Sequence, residues 1–223
     1  MPRFFNSTKM VKGVIFDMDG VLVNNRDAHI EAFVILCRRY GVNMDREQMM
    51  PVFGRGNNEI LPAVMPREII DRVGMANLDI EKEEIYRQIY AESIEPVAGL
   101  DGFLHELKSA GCRIAVGSSG PKLNVDFVLE KCGFTELFDV AVNGDMVTRL
   151  KPDPDIFLTC ALMLGVAPAD CVVFEDTFTG LEAARRAGMK VVAVATTFTA
   201  ERLRAAGNDF VINDFTEITA SSL

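Results

Sequence analysis

From about residue 96 onward, short apolar runs rich in β-branched residues alternate with segments of helical periodicity that each end near a glycine. The runs are continuously apolar, which is typical of parallel strands buried on both faces under helices. This order predicts a doubly wound α/β sheet of the Rossmann-like class. The predicted strands cover residues 12–16, 113–117, 139–142, 171–174, 191–195 and 210–212.

Residues 25–94 interrupt this alternation, because they show helical periodicity and no convincing strand. We therefore predict a helical cap over 25–94 inserted into an α/β core formed by 1–24 and 95–223. The chain would leave the core near residues 23–25 and return near 95–96. Two crossings so close together are typical of a hinge.

Composition narrows the classes of protein that fit. A chain of 223 residues with 49% hydrophobic content can bury one core and a smaller appended unit. Its net charge of −9 and lack of a dense basic block argue against a nucleic-acid partner. No apolar run approaches a membrane span or a signal peptide, and the five cysteines lack C-x-x-C spacing. We expect a cytoplasmic monomer or weak dimer without a membrane partner.

Polar side chains follow the carboxyl ends of the predicted strands, where open α/β sheets bind their ligands. Four carboxylates and one ammonium converging there call for a divalent cation. The candidates offer oxygen ligands and no His or Cys in ligand spacing, which favours Mg²⁺ over zinc or copper. These residues are Asp17, Asp19, Ser118, Ser119, Lys151, Glu175 and Asp176.

The same residues resemble the four motifs of the haloacid dehalogenase superfamily, in the branch whose helical cap follows the first motif. Residues 17–21, DMDGV, match the D-x-D-G-[VT] motif, and Ser118 matches the second motif. Lys151 in KPDP matches the third, and the pair Glu175-Asp176 matches the fourth. One D-x-D alone is common in Asx turns, whereas four motifs at successive strand ends are specific.

This resemblance implies phosphoryl transfer. Asp17 would attack phosphorus and become an aspartyl-phosphate, while Asp19 would act as general acid and base. Ser118 and Lys151 would hold the transferring phosphoryl oxygens. Glu175 would support the metal directly or through water. The implied Mg²⁺ ligands are Asp17, Asp19 through its carbonyl, Glu175 and Asp176.

One substrate-binding candidate in the cap is His29, ten residues after Asp19 and near the start of a predicted helix. In β-phosphoglucomutase-like members, a cap histidine at that spacing helps position the general acid/base. A capping or surface histidine at a helix start is the alternative.

Further candidates depart from the mutase pattern. Arg55 and Asn57 lie in the Gly-rich stretch GRGNNEI, and Asn57 takes the position of the mutase arginine that grips the distal phosphate. SSGPK, with Ser119 and Lys122, replaces the Ser-Lys-Asn run of mutases. These departures count against a mutase and leave phosphoryl transfer unchanged.

The leading hypothesis is a Mg²⁺-dependent phosphatase that acts on a small phosphorylated metabolite of the sugar-phosphate type. The alternative is a β-phosphoglucomutase-like transferase acting on β-glucose 1-phosphate, which would need a distal anion site. A dehalogenase would use the same nucleophile without a metal, which would give Asp19 and the pair Glu175-Asp176 no role. A non-enzymatic binding module would not need Asp17, Asp19, Ser118, Lys151 and Asp176 together. The substrate itself depends on cap side chains whose direction does not follow from spacing.

Overall fold

The computed structural model describes residues 11–52 and 56–223. Contacts within the chain define two compact units. One consists of the described residues up to Asn24 together with Glu95–Leu223, and the other is Asn25–Ile94. All strands of the described chain belong to the first unit. Every helix among the described residues is too short or too polar to span a bilayer.

The first unit is built on a six-stranded parallel sheet in the order β3-β2-β1-β4-β5-β6. The central strand β1 pairs with β2 on one side and β4 on the other, so the strand order reverses there, as in doubly wound sheets. The predicted fold class is confirmed, and each strand end lies within one residue of its predicted position. The strands are β1 (Gly13–Phe16), β2 (Arg113–Gly117), β3 (Val140–Val142), β4 (Cys171–Glu175), β5 (Lys190–Val194) and β6 (Val211–Ile212).

Among the described residues, the regular secondary structure of the second unit is all helical. Its two longest helices, α1 and α5, pack on each other, and each buries apolar side chains, among them Phe33, Leu36, Leu78 and Ile85. The helices are α1 (Arg26–Arg39), α2 (Arg46–Met49), α3 (Asn57–Val64), α4 (Arg67–Val73) and α5 (Met75–Tyr90).

Among the described residues of the first unit, five further α-helices lie between the strands. Helix α8 packs on β1, β2 and β3, and α9 packs on β4 and β5. Helix α8 ends at Gly165, whose φ of 68° lies in the left-handed region that favours glycine, as its sequence predicts. The helices are α6 (Leu100–Ser109), α7 (Lys122–Lys131), α8 (Asp155–Leu164), α9 (Phe178–Arg186) and α10 (Ala200–Ala205).

Four buried phenylalanines lie directly beneath the ends of β1 and β4. Phe16 and Phe174 stack with ring centroids 5.0 Å apart. Phe103 of α6 and Phe215 pack against both rings at centroid distances of 5.4 to 6.3 Å. Such aromatic pairs stabilise beyond their buried area. The cluster therefore fixes the two strand ends that carry the next residues, Asp17 and Glu175.

We expect Phe103→Ala to lower the free energy of unfolding by about 3–5 kcal/mol, because it leaves a cavity among the three remaining rings. Urea denaturation of the whole chain measures this change. Leu162→Ala, at a side chain that is 80% exposed, is the control and should change stability by no more than about 0.5 kcal/mol. A cost as small for Phe103→Ala would contradict a packed aromatic cluster.

Candidate active site

Three carboxylates meet at the carboxyl ends of β1 and β4. Asp17 follows β1, Glu175 ends β4 and Asp176 follows it, and all three are buried. One carboxylate oxygen from each lies within 4.8 Å of the others. The adjacency arises because β1 and β4 pair in parallel, with Phe16 opposite Phe174. The structure thus brings three of the predicted metal-binding residues together.

Lys151 supplies a positive charge to this cluster. Its Nζ donates a hydrogen bond to Asp17 Oδ1 and another, of 2.8 Å, to Glu175 Oε2. The ammonium also lies 4.7 Å from the centroid of the Phe157 ring. Burial alone would lower the pKa of Lys151, but the carboxylates of Asp17 and Glu175 raise it above its usual range. Lys151 is therefore a fixed cation between two carboxylates.

Glu175 uses both of its oxygens in hydrogen bonds within the protein. Oε2 accepts from Lys151, and Oε1 accepts from the backbone N–H of Asp176 at 3.0 Å. Oε1 also accepts from the N–H and the hydroxyl of Thr177, at 2.9 and 2.8 Å. A Cβ at Gly180 would lie 1.9 Å from Oε2, so the close approach of α9 requires glycine there. Because both of its oxygens already accept hydrogen bonds, Glu175 is suited to hold Lys151 and the start of α9 in place.

Asp176 differs from Glu175, because one of its oxygens is buried without a hydrogen bond. Oδ2 accepts a 2.5 Å hydrogen bond from Thr197 Oγ1, whereas Oδ1 accepts none within the described residues. A buried anionic oxygen without a donor is costly. An oxygen of this kind, beside two more carboxylates, fits a hard divalent cation such as Mg²⁺.

The pKa values reflect this excess of negative charge. Burial and then the charge of Glu175 raise the pKa of Asp17 to about 8, against the opposing effect of Lys151. Burial, Glu175 and Asp17 also raise the pKa of Asp176 well above its usual range. Burial would likewise raise the pKa of Glu175, but Lys151 and the donors of Thr177 lower it. The raised pKa values of Asp17 and Asp176 mean that a cation bound at the cluster would favour the ionised form of both carboxyl groups.

The side chains of Asp19 and Ser118 both lie close to Gly120. A Cβ at Gly120 would lie 3.2 Å from Ser118 Oγ and 3.9 Å from Asp19 Oδ2. Ser118 is buried after β2, where its N–H donates to the carbonyl of Val142 and its Oγ accepts from the N–H of Gly120. The predicted acid/base and the predicted phosphoryl-binding serine therefore share this region.

Ser119 and Lys122, the two substrate-binding candidates that follow β2, are more exposed than Ser118. Ser119 is exposed, and its carbonyl lies against Gly144, where a Cβ would approach it to 2.4 Å. Lys122 begins α7 and is 67% exposed, with its Nζ 2.5 Å from Asp126 Oδ2 one turn later. The ammonium of Lys122 is thus used in a surface pair. A role for Ser119 or Lys122 in substrate binding stays a prediction.

His29 belongs to a buried polar cluster within the helical unit. Its Nδ1 lies 2.7 Å from Nζ of Lys82, and its ring stacks on Tyr86 at a centroid distance of 3.9 Å. Lys82 also donates to Glu83 Oε1 at 2.8 Å, and both side chains are buried. Because an ammonium can only donate, Nδ1 of His29 is the acceptor. The sequence alone predicted neither Lys82 nor Glu83, since charged helices are usually exposed.

Asn57 is the first residue of α3, and its amide is engaged inside the helical unit. Its Nδ2 donates to Asp79 Oδ1 at 2.6 Å and to Glu83 Oε1 at 2.7 Å. Arg55 lies outside the described residues. Substrate contacts by His29, Asn57 and Arg55 therefore stay predictions.

Because the folded-state pKa of Asp17 lies above the ordinary value of 3.8, ionising this group opposes folding. The contribution of protonated Asp17 to stability should be fully present below about pH 4 and decline as the pH rises toward about 8 in protein treated with a chelator. Melting temperatures in EDTA between about pH 5 and 8 test this, and Mg²⁺ should stabilise more at the upper end, where the carboxylates ionise. The variant Asp17→Asn should show a shallower decline; a melting temperature in EDTA that rises over this range would contradict the prediction.

Comparison with known proteins identifies relatives for nearly the whole chain. A family model described as haloacid dehalogenase-like hydrolase matches residues 14–194. The chloroplastic protein SUPPRESSOR OF QUENCHING 1 of Arabidopsis thaliana is 36% identical over 96% of this chain, which spans only 20% of that protein. A fructose-1-phosphate phosphatase of Escherichia coli is 36% identical over 82% of this chain and 95% of its own length.

Two further matches extend the comparison to a mutase and to a solved structure. The β-phosphoglucomutase of Bacillus subtilis is 28% identical over 96% of this chain and 94% of its own. The crystal structure of a family IA, variant 3 hydrolase from Entamoeba histolytica has a TM-score of 0.84 and 26% identity, covering 95% of this chain and 96% of the other. The chain belongs to the haloacid dehalogenase-like hydrolase family.

Proposed function

We propose that this protein is a Mg²⁺-dependent phosphatase that hydrolyses a small phosphorylated sugar through a phosphorylated Asp17. Hydrolysis of phosphoric monoesters follows from the family and its phosphatase members. The finer proposal rests on the buried cluster in which Lys151 binds Asp17, while Oδ1 of Asp176 accepts no hydrogen bond from any residue that the structure describes.

In the proposed reaction, a carboxylate oxygen of Asp17 forms a bond to phosphorus while the bond from phosphorus to the sugar oxygen breaks. Asp19 donates a proton to the departing oxygen, which leaves as the sugar hydroxyl. Asp19 then takes a proton from a water molecule that attacks the aspartyl-phosphate, and inorganic phosphate is released. The position of Asp19 beside Gly120 and Ser118 supports this assignment.

The remaining residues stabilise charge. Lys151 and Ser118 would donate hydrogen bonds to the phosphoryl oxygens, whose charge grows in the transition state. Asp17, Asp176 and the backbone carbonyl of Asp19 would hold Mg²⁺, which when bound offsets the phosphoryl charge and keeps Asp17 ionised at neutral pH. Glu175, whose oxygens are occupied by other donors, would keep Lys151 and the start of α9 in place.

The substrate class rests on the relatives. The Escherichia coli protein is named for fructose 1-phosphate, and the chain covers nearly all of it. The Bacillus subtilis mutase, matched over 96% of this chain, supports a second candidate in which the phosphoryl group returns to the sugar. Both candidates use the same Asp17 chemistry and differ in the acceptor, which is water or a sugar hydroxyl.

The variant Asp17→Asn should fold and lose phosphatase activity by at least about 10³-fold, because it removes the nucleophile. Steady-state release of phosphate from fructose 1-phosphate and other sugar phosphates, with Mg²⁺, measures the loss. Acid-quenched mass spectrometry should find one phosphoryl group on Asp17 of the parent. Asp101→Asn, at an exposed carboxylate, should keep the parent's activity. Turnover by Asp17→Asn equal to that of the parent would refute the nucleophile assignment.

A second assay separates the two acceptors. The protein is incubated with β-glucose 1-phosphate, a glucose bisphosphate primer and Mg²⁺, and both free phosphate and glucose 6-phosphate are measured. We expect free phosphate as the main product, because an unprotected aspartyl-phosphate reacts with water. Glucose 6-phosphate in large excess over free phosphate would establish the mutase instead.

A further inference from the structure

The loop that follows β5 places a threonine hydroxyl against Asp176. Thr197 Oγ1 donates a hydrogen bond of 2.5 Å to Asp176 Oδ2. Asp176 is almost fully buried, and its other oxygen, Oδ1, accepts no hydrogen bond within the described residues. The two oxygens of this carboxylate are therefore in different surroundings. One is held by the protein, and the other is left for a ligand.

Oδ2 of Asp176 is also fixed by the turn after β1. A Cβ at Gly20 would lie 2.0 Å from this oxygen, so the carboxylate occupies space that only glycine leaves open. Gly20 has a φ of 81°, in the left-handed region. Its carbonyl accepts a 2.5 Å hydrogen bond from Thr196 Oγ1, whose distance to Oδ2 is 3.4 Å. Since Thr196 has one hydroxyl proton and gives it to Gly20, Thr197 is the donor to Asp176.

The loop that carries Thr197 is anchored on both sides. On one side, Thr196 is bound to Gly20. On the other, the Phe198 ring stacks on Phe178 of α9 with centroids 4.5 Å apart, and the Arg202 guanidinium lies 4.4 Å above Phe198. A hydroxyl held between two such anchors loses little conformational freedom when it donates its hydrogen bond. The packing of the loop therefore fixes the position of the Thr197 hydroxyl.

We propose that Thr197 is a positioning residue for the divalent cation: by holding Oδ2 of Asp176, its hydroxyl directs Oδ1 toward the metal. This inference rests on the proposed function, since it concerns the same cation. Hydrogen-bond partners of metal ligands set the ligand's orientation, and their loss weakens metal binding by about 10- to 100-fold. Without the Thr197 hydroxyl, Asp176 can rotate, and its buried Oδ2 loses its strongest donor.

The test measures Mg²⁺ binding to the full chain without substrate, by isothermal titration calorimetry, with Mn²⁺ as a second probe. Thr197→Val, which keeps the shape and removes the hydroxyl, should raise the dissociation constant about 10- to 100-fold. Thr197→Ser, which restores the hydroxyl, should bind close to the parent. At saturating Mg²⁺, the KM of Thr197→Val for the sugar phosphate should match that of the parent.

Thr199→Val is the matched control in the same loop. Thr199 caps α10 through a hydrogen bond from the N–H of Arg202, and within the described part of the chain its side chain has no hydrogen bond to Asp176 or Gly20. This variant should lower the melting temperature and leave Mg²⁺ binding unchanged.

Parent-like Mg²⁺ binding by folded Thr197→Val would overturn the inference and leave the proposed phosphatase activity unaffected. A parent that binds neither Mg²⁺ nor Mn²⁺ would overturn both the inference and the metal dependence. Tight binding by a parent that hydrolyses no phosphoester, with the expected loss in Thr197→Val, would support the inference and refute the phosphatase.

Discussion

The bond between the Lys151 ammonium and the carboxylates of Asp17 and Glu175 is the interaction on which the described site depends. Three buried carboxylates within a few ångströms repel one another, and a single ammonium offsets one of their charges. The remaining negative charge must be met by protons or by a cation. The same imbalance explains the raised pKa values of Asp17 and Asp176 and the suitability of the cluster for a divalent metal.

The fold and the centre of the site could be predicted from the sequence because both depend on local patterns. Continuous apolarity and glycine-ended helices located every strand, and parallel pairing of β1 with β4 then brings Asp17 beside Glu175. The roles of these residues in catalysis remain proposals. Their proximity is a property of the sheet.

What the sequence could not give depends on contacts between distant segments. Thr197 is separated from Asp176 by a helix and a strand, and two adjacent threonines carry no recognisable signal. Lys82 lies in a charged stretch that is typical of an exposed helix, yet its side chain is buried against His29 and Glu83. The side-chain amide of Asn57 donates to two carboxylates of its own unit, Asp79 and Glu83, which its Gly-rich sequence context did not predict; a contact of Asn57 with substrate stays a prediction. In each case, tertiary packing decided the direction of the side chain.

The contact between Gly20 and Asp176 has a consequence for how the chain becomes functional. The proposed cation ligands come from segments more than 150 residues apart, and Asp17 and Asp176 fit together only when no side chain lies between the turn after β1 and the start of α9. A nascent or partly unfolded chain therefore offers no such cage. The proposed cation would then bind only after the central sheet has formed. Its binding would stabilise the folded state relative to any intermediate that lacks β4.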